Sequence, residues 1–262
     1  MIYITGAATR SYLEANAQPM VAWDNLFARG AIVNPDLPID APRSNAAEEN
    51  TADFWRSNGA NTYRATFATA QVADIAFFNA HSLAGVAIDL QTYNGSTWTT
   101  FATITPPDNQ PFMVVWPRKS ALGWGFSVDA ESIVGNAWIG PRVIIPGGVE
   151  PGYVPIWASR VVNKWGGGTR RGHWLGQRCD SVTAELSASF MPISHDFSLN
   201  GLRAFRDRYN SGRAFIWASA PGIFKEDAAY CWAANGASLA APIMAGGDLV
   251  GLSLQMSAYC EP

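Results

Sequence analysis

Residues 85–101 read GVAIDLQTYNGSTWTTF, and this stretch restricts the possible folds more than any other. Val86, Ile88 and Leu90 alternate with Ala87, Asp89 and Gln91, the period of a strand that buries one face. A helix would scatter those apolar positions around its circumference. Asn94-Gly95 then supplies the positive φ angles of a tight hairpin turn, and Trp98 to Phe101 begins the return strand. Similar runs recur at TYRATF, DIAFF, FMVVW, WGFSVD and AWIGPRVII. Short strands with turn signals about every 8–12 residues are the pattern of an antiparallel sandwich.

The run IIPGGVEPGYVP, residues 144–155, interrupts the series, because its prolines and glycines continue neither a helix nor a central strand. It divides a first domain, residues 21–147, from a second, residues 156–262, with 148–155 as linker. Residues 1–20 have no clear period and read as an N-terminal arm, either laid on a neighbouring subunit or disordered. The polar, turn-rich residues 26–59 are too long for an ordinary connection. They read as a segment wrapped over one end of the sandwich and anchored by Trp55. In the second domain residues 156–165, 182–190, RAFIWAS and LVGLSLQMSAY read as strands. The last alternates Leu252, Leu254 and Met256 with Ser253, Gln255 and Ser257. Residues 195–212 read as a helix, with Leu199, Leu202, Phe205 and Tyr209 at helical spacing, Ser198 capping the start and Gly212 the end. The expected class is all-β, mainly β with one short helix: a β-sandwich jelly roll followed by a small β-barrel or sandwich domain.

Composition then limits function. Charged residues are only 15% of the chain and aromatic residues 12%, including 11 Trp. That is much uncharged, aromatic surface for a single subunit to hide, which implies contact between copies, since aromatics concentrate at interfaces. The net charge of −3 gives no field to hold a polyanion. No apolar run approaches the roughly 18 residues of a membrane helix. The first residues lack the basic start and apolar core of a signal peptide, so assembly in a cytosol is expected. Cys179, Cys231 and Cys260 are odd in number and lack paired spacing, and they read as small apolar core residues. A four-ligand metal or iron–sulfur site completed by His173 or His195 is the alternative. The GGG at 166–168 lacks a following GK[ST], no GxSxG or HExxH occurs, and His81, His173 and His195 share no spacing. Glu48-Glu49 and Glu226-Asp227 are adjacent pairs that point apart in an extended chain. No catalytic residue, metal or cofactor is expected, and the chain does not read as an enzyme.

Two sets of candidate binding residues remain. Arg160, Lys164, Trp165, Arg170, Arg171, Trp174 and Arg178 surround a glycine run, a mixture typical of subunit-interface anchors. A solvated loop and a nucleic-acid groove are the alternatives. Trp55, Arg56, Asn79, His81, Arg118 and Trp124 are of the types that read a glycan: aromatic faces stack on sugar C–H groups, and polar side chains meet hydroxyls. Each has an ordinary alternative as a core plug or a loop cap.

The succession ADFWRSNG, YRATFATAQVADIAFFNAHSL, VAIDLQTYNGSTWTTF and WIGPRVIIPGG resembles galactose-binding-like (discoidin-type) jelly rolls over residues 21–147. The histidine–asparagine pair frequent in that family stands here as His81-Ser82. LNGLRAFRDRYNSGRAFIWASAPGIFKEDAAYCWA followed by LVGLSLQMSAYCE is similar to distal-tail and minor-tail proteins of long-tailed bacteriophages, over residues 198–260. The second resemblance implies a virion structural protein assembled in the host cytoplasm. It would form a homo-oligomeric ring joining the tail tube protein to tail hub and central fibre proteins at the tail tip, and contribute to host adsorption. The first resemblance implies a carbohydrate-binding module for host surface polysaccharide as the alternative function.

Overall fold

The computed structural model describes residues 1–6, 10–33, 43–49, 53–168, 174–235, 237–239 and 243–259. The elements run β1 (Ile2–Ile4), α1 (Arg10–Asn16), β2 (Met20–Ala22), β3 (Ala31–Val33), α2 (Arg43–Ala47), β4 (Trp55–Ser57), β5 (Asn61–His81), β6 (Ile88–Tyr93), β7 (Trp98–Ile104), β8 (Phe112–Val128), β9 (Ser132–Gly140) and β10 (Val143–Ile144). They continue with β11 (Arg160–Gly168), β12 (Trp174–Ser194), α3 (Arg203–Asn210), β13 (Phe215–Ala218), β14 (Ala228–Ala233), β15 (Ile243–Gly246) and β16 (Leu249–Tyr259). The chain is mainly β, as its alternating pattern requires. The two additional helices, α1 and α2, are five to seven residues long and carry no sequence period strong enough to announce them. Two compact units form: Met1–Ile145 with Ile216–Ala228, and Pro146–Phe215 with Ala229–Pro262.

The first unit is built on a sheet of order β4-β9-β5-β8-β6-β7, with β3 antiparallel to β5 and β1 parallel to β8. TYRATF and DIAFF are two halves of the single strand β5, and FMVVW and WGFSVD are two halves of β8. Register shifts between Thr66 and Gln71, and again between Ala73 and Ile75, bend the pair so that one sheet makes both faces of a sandwich. Tyr63 and Phe126, opposite each other on one half, stack at 5.3 Å, as do Phe78 and Phe112 on the other half at 4.9 Å. The edge of Phe78 meets Phe126 at 5.0 Å, which closes the core between the halves. Trp55, Leu26 and Phe27 fill one part of this core, so the described ends of the segment 26–59 are anchored in it.

Residues 1–20 are not a free arm. Ile2, Tyr3 and Ile4 pair with Met113, Val114 and Val115, and Met20 and Val21 pair with β10 and β13. On the sheet face opposite the core, Ile75, Phe77, Met113, Val115 and Trp138 are also fully buried. A sheet covered on both faces loses the plain alternation that marks a half-exposed strand, which is why residues 1–20 belong to the unit although their pattern is weak. Gly140 marks a crossing: a Cβ there would meet the Asp24 carbonyl oxygen, so only glycine lets the chain pass.

In the second unit β16 lies between β12 on one edge and β14 and β15 on the other. Leu252, Leu254 and Met256 sit opposite Phe190, Ala188 and Leu186, all buried, as the alternation in β16 predicts. Leu202, Phe205 and Tyr209 are buried, while the Tyr209 hydroxyl donates to the Gln255 carbonyl at 2.5 Å and pins α3 to β16. Leu199 is instead exposed, and Ser198 does not cap the helix: a wide turn over Phe197–Gly201 precedes α3, and Ser194 Oγ accepts from the Phe197 N–H. Gly212 ends the helix with φ +68°. The expected linker is part of this unit, because Glu150 N–H donates to Ser189 and Val149 bridges to Phe190.

Candidate functional site

The hairpin β6–β7 turns through Asn94-Gly95-Ser96-Thr97, since Tyr93 pairs with Trp98. This is a correction: only Gly95 has positive φ, +106°. Asn94 works through its side chain, whose Oδ1 accepts from the N–H groups of Ser96 and Thr97, both at 2.9 Å. Such a turn needs no left-handed asparagine. It holds Tyr93 and Trp98 side by side, stacked at 5.0 Å. The Arg64 guanidinium lies 4.7 Å from the Trp98 ring and donates to Gln91 Oε1 at 2.9 Å, and Gln91 donates on to Ser127 Oγ. This network needs bare backbone beneath it. At Gly123 a Cβ would come within 2.9 Å of the Trp98 ring, and at Gly125 within 2.7 Å of Arg64 Cγ.

Beside the hairpin, where β5 and β8 bend, lies an open groove of about 540 Å³ lined by Ala70, Thr92, Tyr93, Asn94, Thr99, Lys119, Ser120, Ala121 and Leu122. One aromatic ring, several short polar groups and one cation therefore face the same space. The Lys119 Nζ sits 5.0 Å from the Phe101 ring, which itself packs edge-on against Trp116. Asn94 stood out in the sequence only as a turn residue, and none of the others stood out at all. Tyr93 and Lys119 look like ordinary strand residues, and their convergence follows from the bend.

The six glycan candidates do not converge. Trp55 and Trp124 are fully buried, and Trp124 donates to the Gln71 carbonyl at 3.0 Å, so both are core plugs and offer no platform. Arg56 is exposed near Phe54. Arg118 joins a structural network: its Nε meets Asp74 Oδ2 at 3.2 Å, and its Nη2 donates to the Arg142 carbonyl. Asp74 also accepts from the Arg142 N–H at 2.7 Å, and Arg142 reaches Asn16 Oδ1 and the Tyr12 ring, tying α1 to the sheet. Burial holds the Asp74 carboxyl above the ordinary carboxylate value despite the two guanidinium groups. Asn79 is wholly buried, and neither atom of its amide makes a hydrogen bond among the described residues.

His81 is displaced by its neighbour. Ala80 has φ +51°, the left-handed region that costs an L-residue about 1 kcal/mol. Strand alternation restarts there, so His81 turns inward and meets the edge of Phe112 at 5.1 Å. Its Nδ1 accepts from the Leu83 N–H at 3.3 Å. Burial lowers its pKa to about 4, so the ring is neutral at physiological pH and caps its own loop.

Within the basic set, Lys164, Trp165, Trp174 and Arg178 lie on a β-hairpin: Lys164 pairs with Cys179, Trp165 with Arg178 and Gly168 with Trp174. Arg160 is also in β11, opposite Ala184. The side chains of 160–168 and 174–183, and residues Arg170, Arg171, His173 and Cys260 entirely, lie outside the described residues. Cys231 is buried, and His195 is exposed. No helix among the described residues is long and apolar enough to cross a membrane.

No protein-family model matches the chain, and no curated protein matches it. Among solved structures, a chitosan-binding module 1 derived from a chitosanase/glucanase of Paenibacillus sp. IK-5 is 14% identical, covering 45% of this chain and 98% of its own, with TM-score 0.39. Chitosan-binding module 2 of the same enzyme, in complex with chitotriose, is 16% identical over 44% of this chain and 99% of its own, with TM-score 0.39. A pectin-binding carbohydrate-binding module is 12% identical over 42% of this chain and 86% of its own, with TM-score 0.35. Overlaps of this size carry no argument about this chain. Its fold rests on the strand order and register given above.

Proposed function

We propose that this chain binds a carbohydrate, without catalysis, through the groove beside the β6–β7 hairpin of the first unit. The observation that carries the reading is the Tyr93–Trp98 stack at the lip of a groove otherwise lined by short polar groups. A sugar presents an apolar C–H face and a rim of hydroxyls. An aromatic ring braced by a second ring receives the face, while Thr92, Asn94, Thr99 and Ser120 are of the size and chemistry to meet the rim. Stacking supplies attraction and the hydroxyl contacts supply orientation. The solved modules of similar fold named for chitosan and pectin are consistent with such a ligand class but add no weight. A glycan array probed with the whole chain tests the reading. Binding that is lost in Tyr93→Ala and in Trp98→Ala, with the far-ultraviolet dichroism retained, supports it. No bound glycan at any concentration refutes it.

A second reading, a structural component of a phage tail tip in which copies form a ring, comes from the sequence resemblance of residues 198–260. The observation favouring contact between copies is the exposure of Val154, at 50%, and Trp157, at 60%, on the second unit. Tryptophan is enriched among the residues that anchor protein–protein interfaces. Mass photometry decides it: a closed ring has severalfold the mass of the 28.2 kDa chain, and a lone chain at all concentrations ends the reading.

A further inference from the structure

We infer that the groove selects a sugar bearing one negative charge, a uronic acid residue, with Lys119 as its counter-ion. The inference rests on the carbohydrate reading above and adds the ligand's charge. Lys119 is the one charged residue among the nine that line the groove, and no carboxylate lines it. Among the described residues Lys119 makes no ion pair. Its Nζ lies over the face of Phe101, 5.0 Å from the ring centroid. A cation held on an aromatic face is positioned without being neutralised, because the ring offers a quadrupole and no charge. Its N–H donors remain to be used.

The preceding residue sharpens the point. Arg118 is also a β8 cation, but it is spent on Asp74 and on the Arg142 carbonyl. Of these two successive cations one is consumed in holding the fold and the other lines the groove. Around Lys119 the lining hydroxyls of Thr92, Thr99 and Ser120 donate as readily to a carboxylate as to a neutral sugar oxygen. A carboxylate therefore gains a charge-assisted bond that a neutral hydroxymethyl cannot make. With one lysine and no second cation, a single charge is matched. A phosphate monoester, carrying nearly two charges, is not.

The test is an array that pairs uronic-acid oligosaccharides with neutral counterparts of the same linkage, followed by titration of the best pair with the whole chain. The expected result is about tenfold tighter binding of the uronic member, the size of one charge-assisted hydrogen bond. Lys119→Gln should bring that preference to about one, and added salt should weaken the uronic member selectively. Equal binding of both members, or a preference that survives in Lys119→Gln, overturns the inference and leaves the carbohydrate reading standing. Silence from both members overturns the two together. Lys119 is exposed, so the variant folds, and an unchanged melting temperature confirms it.

Discussion

His81 makes the first unit acid-sensitive, and the size of the effect follows from its surroundings. The ring is buried against Phe112, and Nδ1 accepts the Leu83 N–H. Protonation would put a charge in that apolar site and replace the acceptor with a second donor. Burial accordingly lowers the pKa from 6.5 to about 4 in the folded chain. The unfolded chain takes up the proton first as pH falls, so folding stability is complete above the unfolded value and declines through the window between 6.5 and about 4. Each pKa unit is about 1.4 kcal/mol, which gives a total loss of about 3 kcal/mol once both states are protonated. Denaturant unfolding at about pH 7.5 and about pH 4.5 should differ by about 2.5 kcal/mol from this residue alone. His81→Gln keeps a polar group of similar size without the titration. Its own stability falls less between the same two conditions, because the carboxylates contribute equally to both proteins. If the natural chain and His81→Gln lose the same stability on acidification, the burial argument is wrong.

Three further outcomes follow from the packing. Gly140→Ala should destabilise the first unit by about 3 kcal/mol, since the new Cβ would drive into the Asp24 carbonyl; thermal unfolding measures it, and an unchanged midpoint rejects the crossing at that position. Arg142→Leu should cost about 3 kcal/mol, because Asp74 stays buried with one guanidinium where it had two and Asn16 loses its donor, and hydrogen exchange should rise first in α1. Gly123→Val should abolish glycan binding by pushing the Trp98 ring off Tyr93, with a loss of the near-ultraviolet signal of that pair and with β-sheet content retained.

Local chemistry was legible wherever one residue type has one job. Gly95 had to take a positive φ, Gly212 had to end α3, and the alternation of Leu252, Leu254 and Met256 had to put those side chains on one face. Trp55 and Trp124 show where that legibility stops. An indole serves equally as core filling or as a ligand platform, and the choice depends on which strands close over it. At His81 the deciding event is a single left-handed residue, Ala80, immediately before it at the end of β5, and alanine gives no hint of that conformation.

By itself, then, the amino-acid order determined that this is a β protein with hairpins at particular places, because strand period and turn geometry are properties of a few neighbouring residues. Tertiary structure alone decided that residues 1–20 and 216–228 complete the first unit, that two long strands bend to make both walls of a sandwich, and that Tyr93 and Lys119 line one groove. Those outcomes depend on contacts between residues far apart in the chain, whose energies are shared over the whole core and are not written in any local pattern.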